Sequence, residues 1–209
     1  MARGAGYLAG RRVGPTVMEE PLSPELAGYQ QQFTANRREA AGLCSGLSDA
    51  QFNWPPGPGR WSIAECLLHL NVGADVYTRL IEIATERGRA RGQLATGPFR
   101  YGFLSRWFMG LLEPPVRKRY KTPRLFYPAH GVQHRPTDVL SQFESAGRRW
   151  DECLRRATGL DLARVKVPSP VVPLLRFQLG PLFAGQAAHE RRHLWQAKQV
   201  RAATGFPEA

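Results

Sequence analysis

Lysine is scarce in this chain, and acidic residues are few. Of 29 basic residues only four are Lys, against 17 Asp and Glu, so the 209 residues carry a formal net charge of +12. That balance invites a nucleic-acid or membrane-surface reading. The distribution argues otherwise: Arg is scattered from Arg3 to Arg201, and the densest cluster is only Arg117-Lys118-Arg119-Tyr120-Lys121. An Arg bias beside abundant Ala, Gly and Pro also follows from a GC-rich genome. A solvated basic surface with no specific nucleic-acid partner is the expectation.

Cysteine is equally sparse. Cys44, Cys66 and Cys153 make an odd count without C-x-x-C spacing, which argues against a disulfide framework and a cysteine-based zinc site. Long hydrophobic runs are missing too: none approaches the ~18–20 residues of a transmembrane helix. Residues 1–17 carry Arg3, Arg11 and Arg12 but no apolar stretch, so they do not read as a secretory signal. They are expected to form a disordered extension preceding a single domain over 18–209, with a cytoplasmic location as the default. No segment alternates well enough to predict a strand.

What is present is helical periodicity. Four segments show it, which predicts an all-α four-helix bundle. The first runs from about Pro24 to Leu47, with Leu26, Tyr29, Phe33, Ala40 and Cys44 on one face and Arg37 interrupting it. Asn53–Gly59, rich in Pro and Gly, must be a connection. The second helix opens on the capping box Ser62/Glu65 and carries Cys66, His69, Leu70, Gly73, Tyr77 and Leu80 on its inner arc, ending near Arg87–Gly92. The third begins after Pro136 with Thr137 as the expected cap. Its stripe is Val139, Phe143, Ala146, Trp150, Cys153 and Ala157, and Gly159 is the expected stop. The fourth spans about Leu179 to Ala203 and faces Leu179, Leu182, Gln186, His189, His193, Ala197 and Val200 inward.

Between the second and third bundle helices lies an insertion at about 91–135, too long for a bare loop. Within it Phe99–Leu112 is apolar around its whole circumference, as Tyr101, Phe103, Trp107, Phe108 and Leu111 show. Such a helix needs cover on more than one side. It is expected to pack over the metal end of the bundle or into a homodimer.

Five histidines can do chemistry: His69, His130, His134, His189 and His193. His189 and His193 are four apart, so both rings project from one helix face, and His69 lies on the inner arc of another helix. Core histidines and metal ligands both fit that placement, and bundles build metal sites from such inward side chains. Three imidazoles suit Zn, Ni, Co or Fe with positions left open. His130 and His134 share the spacing, but Pro128, Gly131 and Pro136 forbid a long helix there. His189-Glu190-Arg191-Arg192-His193 also satisfies the zinc-protease pattern H-E-x-x-H. Gln196 and Gln199 stand where the extended form needs Gly and His, and Glu208 is the sole carboxylate downstream, so a third ligand must come from upstream. Glu190 is expected beside the histidine face, in a surface contact or one supporting a ligand.

Trp61-Ser62-Ile63-Ala64-Glu65-Cys66-Leu67-Leu68-His69-Leu70 and His189-Glu190-Arg191-Arg192-His193-Leu194-Trp195-Gln196 resemble the two signature segments of the DinB-like superfamily. The resemblance spans roughly residues 22–204. That group includes YfiT-type metal-dependent hydrolases and thiol-dependent S-transferases. It implies a four-helix bundle of that topology with a divalent metal on His69, His189 and His193, Zn or Ni ahead of Fe, Co or Mn. The expected partner is a small-molecule substrate, such as a low-molecular-weight thiol, for hydrolysis or S-transfer. A non-catalytic bundle that binds a ligand or partner is the alternative. Lys121-Thr122-Pro123 and Phe126-Tyr127-Pro128 resemble a subset of the family and suggest no role by themselves.

Overall fold

The computed structural model describes residues 21–103, 105, 110–115, 121–128 and 131–208. Helix α1 (Pro24–Cys44) starts where the Ser23 hydroxyl accepts the Leu26 N–H at 3.4 Å, with Pro24 and Glu25 in the first turn. It stops short of Leu47 because Gly46 takes a left-handed φ of 73°, which only glycine adopts cheaply. A short helix α2 (Asp49–Asn53) follows, which the sequence reading did not anticipate. Ser48 and Gln51 close a capping box there, and Phe52 is fully buried.

Helix α3 (Ile63–Ala90) opens on the expected box: Glu65 N–H donates to the Ser62 hydroxyl and Ser62 N–H to the Glu65 carboxylate. Helix α4 (Pro136–Ala157) corrects the expected cap. Arg135, not Thr137, is the N-cap; its side chain makes no capping bond and pairs instead with the Asp138 carboxylate at 2.9 Å. Pro136 fills the first turn, where a missing N–H leaves nothing unpaired. Every residue of the expected α4 stripe is buried, and Gly159 follows the helix at φ 76°.

The connection after α4 contains a strand pair that the periodicity did not predict. β1 (Lys166–Pro168) pairs antiparallel with β2 (Arg176–Gln178), Val167 opposite Phe177. Three-residue strands are too short for alternation to stand out. Helix α5 (Leu179–Arg201) completes the bundle. α3 packs on α4 and α5, and α1 packs on the same two, which makes a ring of four. No helix among the described residues is long and apolar enough to cross a membrane.

The core divides into two clusters along the bundle. One joins Leu26 and Phe33 of α1, Ala74 and Ile81 of α3, Trp150 and Leu154 of α4, and Phe183 and Ala187 of α5. The other joins Ala40, Leu67, Phe143 and Leu194 from the same four helices. Phe33 stacks on Trp150 with centroids 5.0 Å apart, a pairing worth about 0.5–1.5 kcal/mol beyond burial. All three cysteines are free and buried. Burial pushes the Cys44 thiol up to about 11 and Cys153 to about 12, so they are inert packing groups.

Arg37, which breaks the apolar face of α1, reaches α4 and pairs with Asp151 at 3.1 Å. Of the insertion helix expected over 99–112, Leu104 and residues 106–109, including Trp107, lie outside the described residues. The parts on either side dock on the bundle. Phe99 and Tyr101 pack on the core, and Tyr101 donates to Glu25 of α1 at 2.6 Å. Leu111 accepts a hydrogen bond from Arg192 of α5.

Candidate metal centre

The three inward histidines sit near the junction of the two core clusters. On α3, His69 stands between Leu67 and Leu70 of the second cluster, just ahead of Ala74 of the first. On α5, His189 and His193 come between Ala187 and Leu194. Because α3 packs against α5, the three rings meet. His189 Nε2 lies 3.2 Å from His69 Nε2 and 3.1 Å from His193 Nε2, and all the ligand atoms are within 4.8 Å of one another. The expected triad is therefore one cluster in space.

The donor set fits a metal cation. His69 donates its Nδ1 proton to the Phe126 carbonyl oxygen at 2.8 Å, and this leaves Nε2 bare toward the other rings. A carbonyl partner of this kind fixes the tautomer of ligating histidines. Burial holds all three imidazoles below their ordinary pKa: His69 is lowered, His189 falls to about 3, and His193 lies well below its usual value. The positive charge of Arg192 adds to the shift in His189 and His193. At neutral pH the rings are thus uncharged, with lone pairs available. Tetrahedral zinc with Zn–N bonds of ~2.0–2.1 Å separates its nitrogens by about 3.3 Å, close to the two distances found. A ring of three neutral donors points to a divalent metal.

Glu190 corrects the expectation of a contact beside the histidines. It is buried on the α1 side of α5, where Asn36 Nδ2 donates to its carboxyl at 2.9 Å and to the Ala187 carbonyl at 3.0 Å. Desolvation there raises its pKa to about 8 despite the Asn36 bond and the nearby Arg37 charge. It does not line the cavity described below, so the general-base role of an H-E-x-x-H protease has no support. His134 stands apart as well: its backbone exchanges two hydrogen bonds with the Asn53 side chain ahead of α4. His130 lies outside the described residues.

The triad lies on the wall of a cavity of about 780 Å³, within the range of small-molecule sites. Trp61 forms part of that wall, its ring 5.0 Å from His69 and stacked on His193 at 5.6 Å. The 3₁₀ turn Arg124–Phe126 closes against His69 and Tyr77, with Phe126 stacked on Tyr77 at 5.9 Å. Lys121, Thr122 and Pro123 line the same space. Sequence reasoning missed Phe126 as the support of His69, since a backbone carbonyl carries no residue-type signal. Lys121-Thr122-Pro123, which resembles a subset of the family, carries no chemical signature of its own in the sequence.

No curated protein is similar enough to this chain to count as a relative. Among solved structures, YfiT from Bacillus subtilis is described as a probable metal-dependent hydrolase with an unusual four-helix bundle topology. The two share the fold at a TM-score of 0.58 with 14% identity, over 90% of this chain and 93% of that one. Residues 32–197 match the DinB superfamily. With its four-helix bundle and two signature segments on α3 and α5, the chain belongs to the DinB superfamily.

Proposed function

We propose that this protein is a metal-dependent enzyme acting on a small organic molecule, with His69, His189 and His193 holding one divalent ion and hydrolysis as its reaction. The observation that carries this reading is the convergence of three neutral imidazole nitrogens on the wall of a cavity. When bound, a divalent ion supplies Lewis-acid chemistry, bringing a bound water toward a pKa of ~7 or holding a thiol as thiolate. The chain's own groups set the conditions. The Phe126 carbonyl keeps the His69 proton on Nδ1, Trp61 covers two of the rings, and buried Arg192 adds positive charge beside the histidines. The fold shared with YfiT, described as a probable metal-dependent hydrolase, supports the same reading.

Transfer of a small thiol is the second reading, favoured by one observation. Among the described residues no Asp or Glu lines the cavity to serve as general base, whereas a cationic wall suits a thiolate. Zn and Ni are the ions expected, ahead of Fe, Co and Mn.

Elemental analysis of purified protein, followed by an ester and amide panel and a thiol-plus-electrophile panel, tests the proposal. One divalent ion per chain, with turnover lost on chelation and restored by the ion, is the expected result. Turnover only in the second panel favours transfer over hydrolysis. A metal-loaded protein inactive in both panels overturns the enzyme reading in favour of a ligand-binding bundle.

A further inference from the structure

Cations line the cavity, and among the described residues no Asp or Glu lines it. Arg60 and Lys121 stand exposed in its lining, and Arg192 is buried in it, where its guanidinium donates to the Leu111 carbonyl at 3.2 Å. Several cations elsewhere on the bundle face carboxylates, among them Arg37 with Asp151, Arg156 with Glu82 and Lys198 with Glu39. Arg60 and Lys121 make no ion pair among the described residues. Both cations ride on segments that touch the histidines. Arg60 precedes Trp61, which stacks on His193, and Lys121 precedes the turn whose Phe126 carbonyl holds His69.

The rest of the lining is largely apolar and aromatic. Trp61, Tyr77, Phe126 and Phe177 form part of it, with Val171, Val172 and Leu175 from the loop between β1 and β2. An apolar, aromatic lining with cations in its exposed part, and no carboxylate among the described residues, selects one kind of guest. A cationic guest meets no acidic group here, and a small polar neutral one leaves the apolar wall uncovered.

We propose that the cavity takes an amphipathic organic anion: an apolar or aromatic body against these walls, and an anionic group held by Arg60 and Lys121. The inference rests on reading the cavity as the substrate site of a metal-dependent enzyme, and it names the substrate class. Arg60 and Lys121 are binding residues in it, since they lie in the exposed part of the lining while the histidines are on the inner faces of the bundle.

Two fluorescent probes that differ only in charge test this: 1-anilinonaphthalene-8-sulfonate and its neutral parent N-phenyl-1-naphthylamine. Each is titrated against the wild-type full chain, metal-free and metal-loaded, and against Arg60→Gln/Lys121→Gln. A control, Arg87→Gln/Arg164→Gln, removes the same charge from exposed positions outside the cavity. The double variant is expected to weaken the sulfonate at least fivefold and leave the neutral probe within twofold, while the control changes neither. Displacement of the sulfonate by phenyl phosphate or by benzoate supports the site and identifies the head group it prefers. Equal weakening of both probes, an unchanged sulfonate affinity, an equal effect of the control, or displacement by neither competitor overturns the proposal. Metal content is read on the same samples. Loading without anion selectivity overturns this inference alone. Anion selectivity without any metal overturns the enzyme reading and leaves the anion site standing.

Discussion

The Nδ1–H of His69 is tied to the main-chain carbonyl of Phe126, 2.8 Å away and 57 residues along the chain. This bond joins the bundle to the insertion, because His69 belongs to α3 and Phe126 to the turn that closes on it. It gives the insertion a chemical task, the orientation of a candidate ligand, as well as a packing one.

Phe126→Ala therefore tests that link. The side chain is buried against Tyr77 and His69, so its loss lets the turn and its carbonyl drift. Metal affinity is expected to fall about 10–100-fold, as when the outer partner of a ligating histidine is lost, with about 3 kcal/mol of stability. Competition with a chromophoric chelator measures the affinity. An unchanged value shows that the Phe126 carbonyl does not orient the ring.

The metal-free protein is expected to lose stability toward acid. His69, His189 and His193 all have folded pKa values below the ordinary ~6.5, so below that pH the unfolded chain binds more protons than the folded one. The contribution of these rings is full above ~6.5 and falls with each step toward acid, by up to about 1.4 kcal/mol per pH unit for each ring, which outweighs the single opposing slope of Glu190. Urea unfolding of chelator-treated protein from pH 7.5 to 5 reads the slope. A flat profile contradicts buried neutral imidazoles.

Glu190 acts with the opposite sign. Its folded pKa, raised to about 8, exceeds the unfolded ~4.3, so its contribution is fully present below the latter and declines as pH rises toward 8. Glu190→Gln keeps the Asn36 bond in neutral form and should remove that decline, which makes the variant relatively more stable at pH 8 than at pH 5. The same change is expected to leave metal content intact. Loss of metal would falsify the placement of Glu190 outside the site.

Much of this arrangement is legible in residue types at helical spacing. The Ser62/Glu65 box, the α4 stripe and the inward His69, His189 and His193 all declare themselves that way. Glu190 does not, because its partner Asn36 is 154 residues away and a lone Glu on a helix reads as solvated. Phe126 acts through its backbone, which any residue possesses. β1 and β2 hide behind Pro168, Pro170 and Pro173, and α2 is too short for periodicity. Apart from the α4 cap, what stays hidden are long-range polar partners and very short elements, where local pattern carries no information.

Gly180 and Tyr101 give a test of how the insertion docks. A Cβ at Gly180 would collide with the Tyr101 hydroxyl and lie 2.5 Å from its ring. Gly180→Ala must therefore shift the Tyr101 ring, whose hydroxyl bonds Glu25. A cost of about 1–3 kcal/mol is expected, against about 1 kcal/mol for Tyr101→Phe, which removes only the hydroxyl. Thermal unfolding separates the two. Equal effects contradict the close packing of Tyr101 on the start of α5.

The most direct test of the account is the metal stoichiometry of purified wild-type, His69→Ala, His189→Ala and His193→Ala proteins. Wild type is predicted to hold one divalent ion per chain. Each single variant is predicted to lose it sharply while staying folded, since two separate core clusters, each drawing on all four bundle helices, hold the bundle without the ion. Double variants should lose little more, because three ligands of one ion act as a unit. A full metal complement in His69→Ala contradicts the account, because it removes α3 from the site on which the proposed function depends.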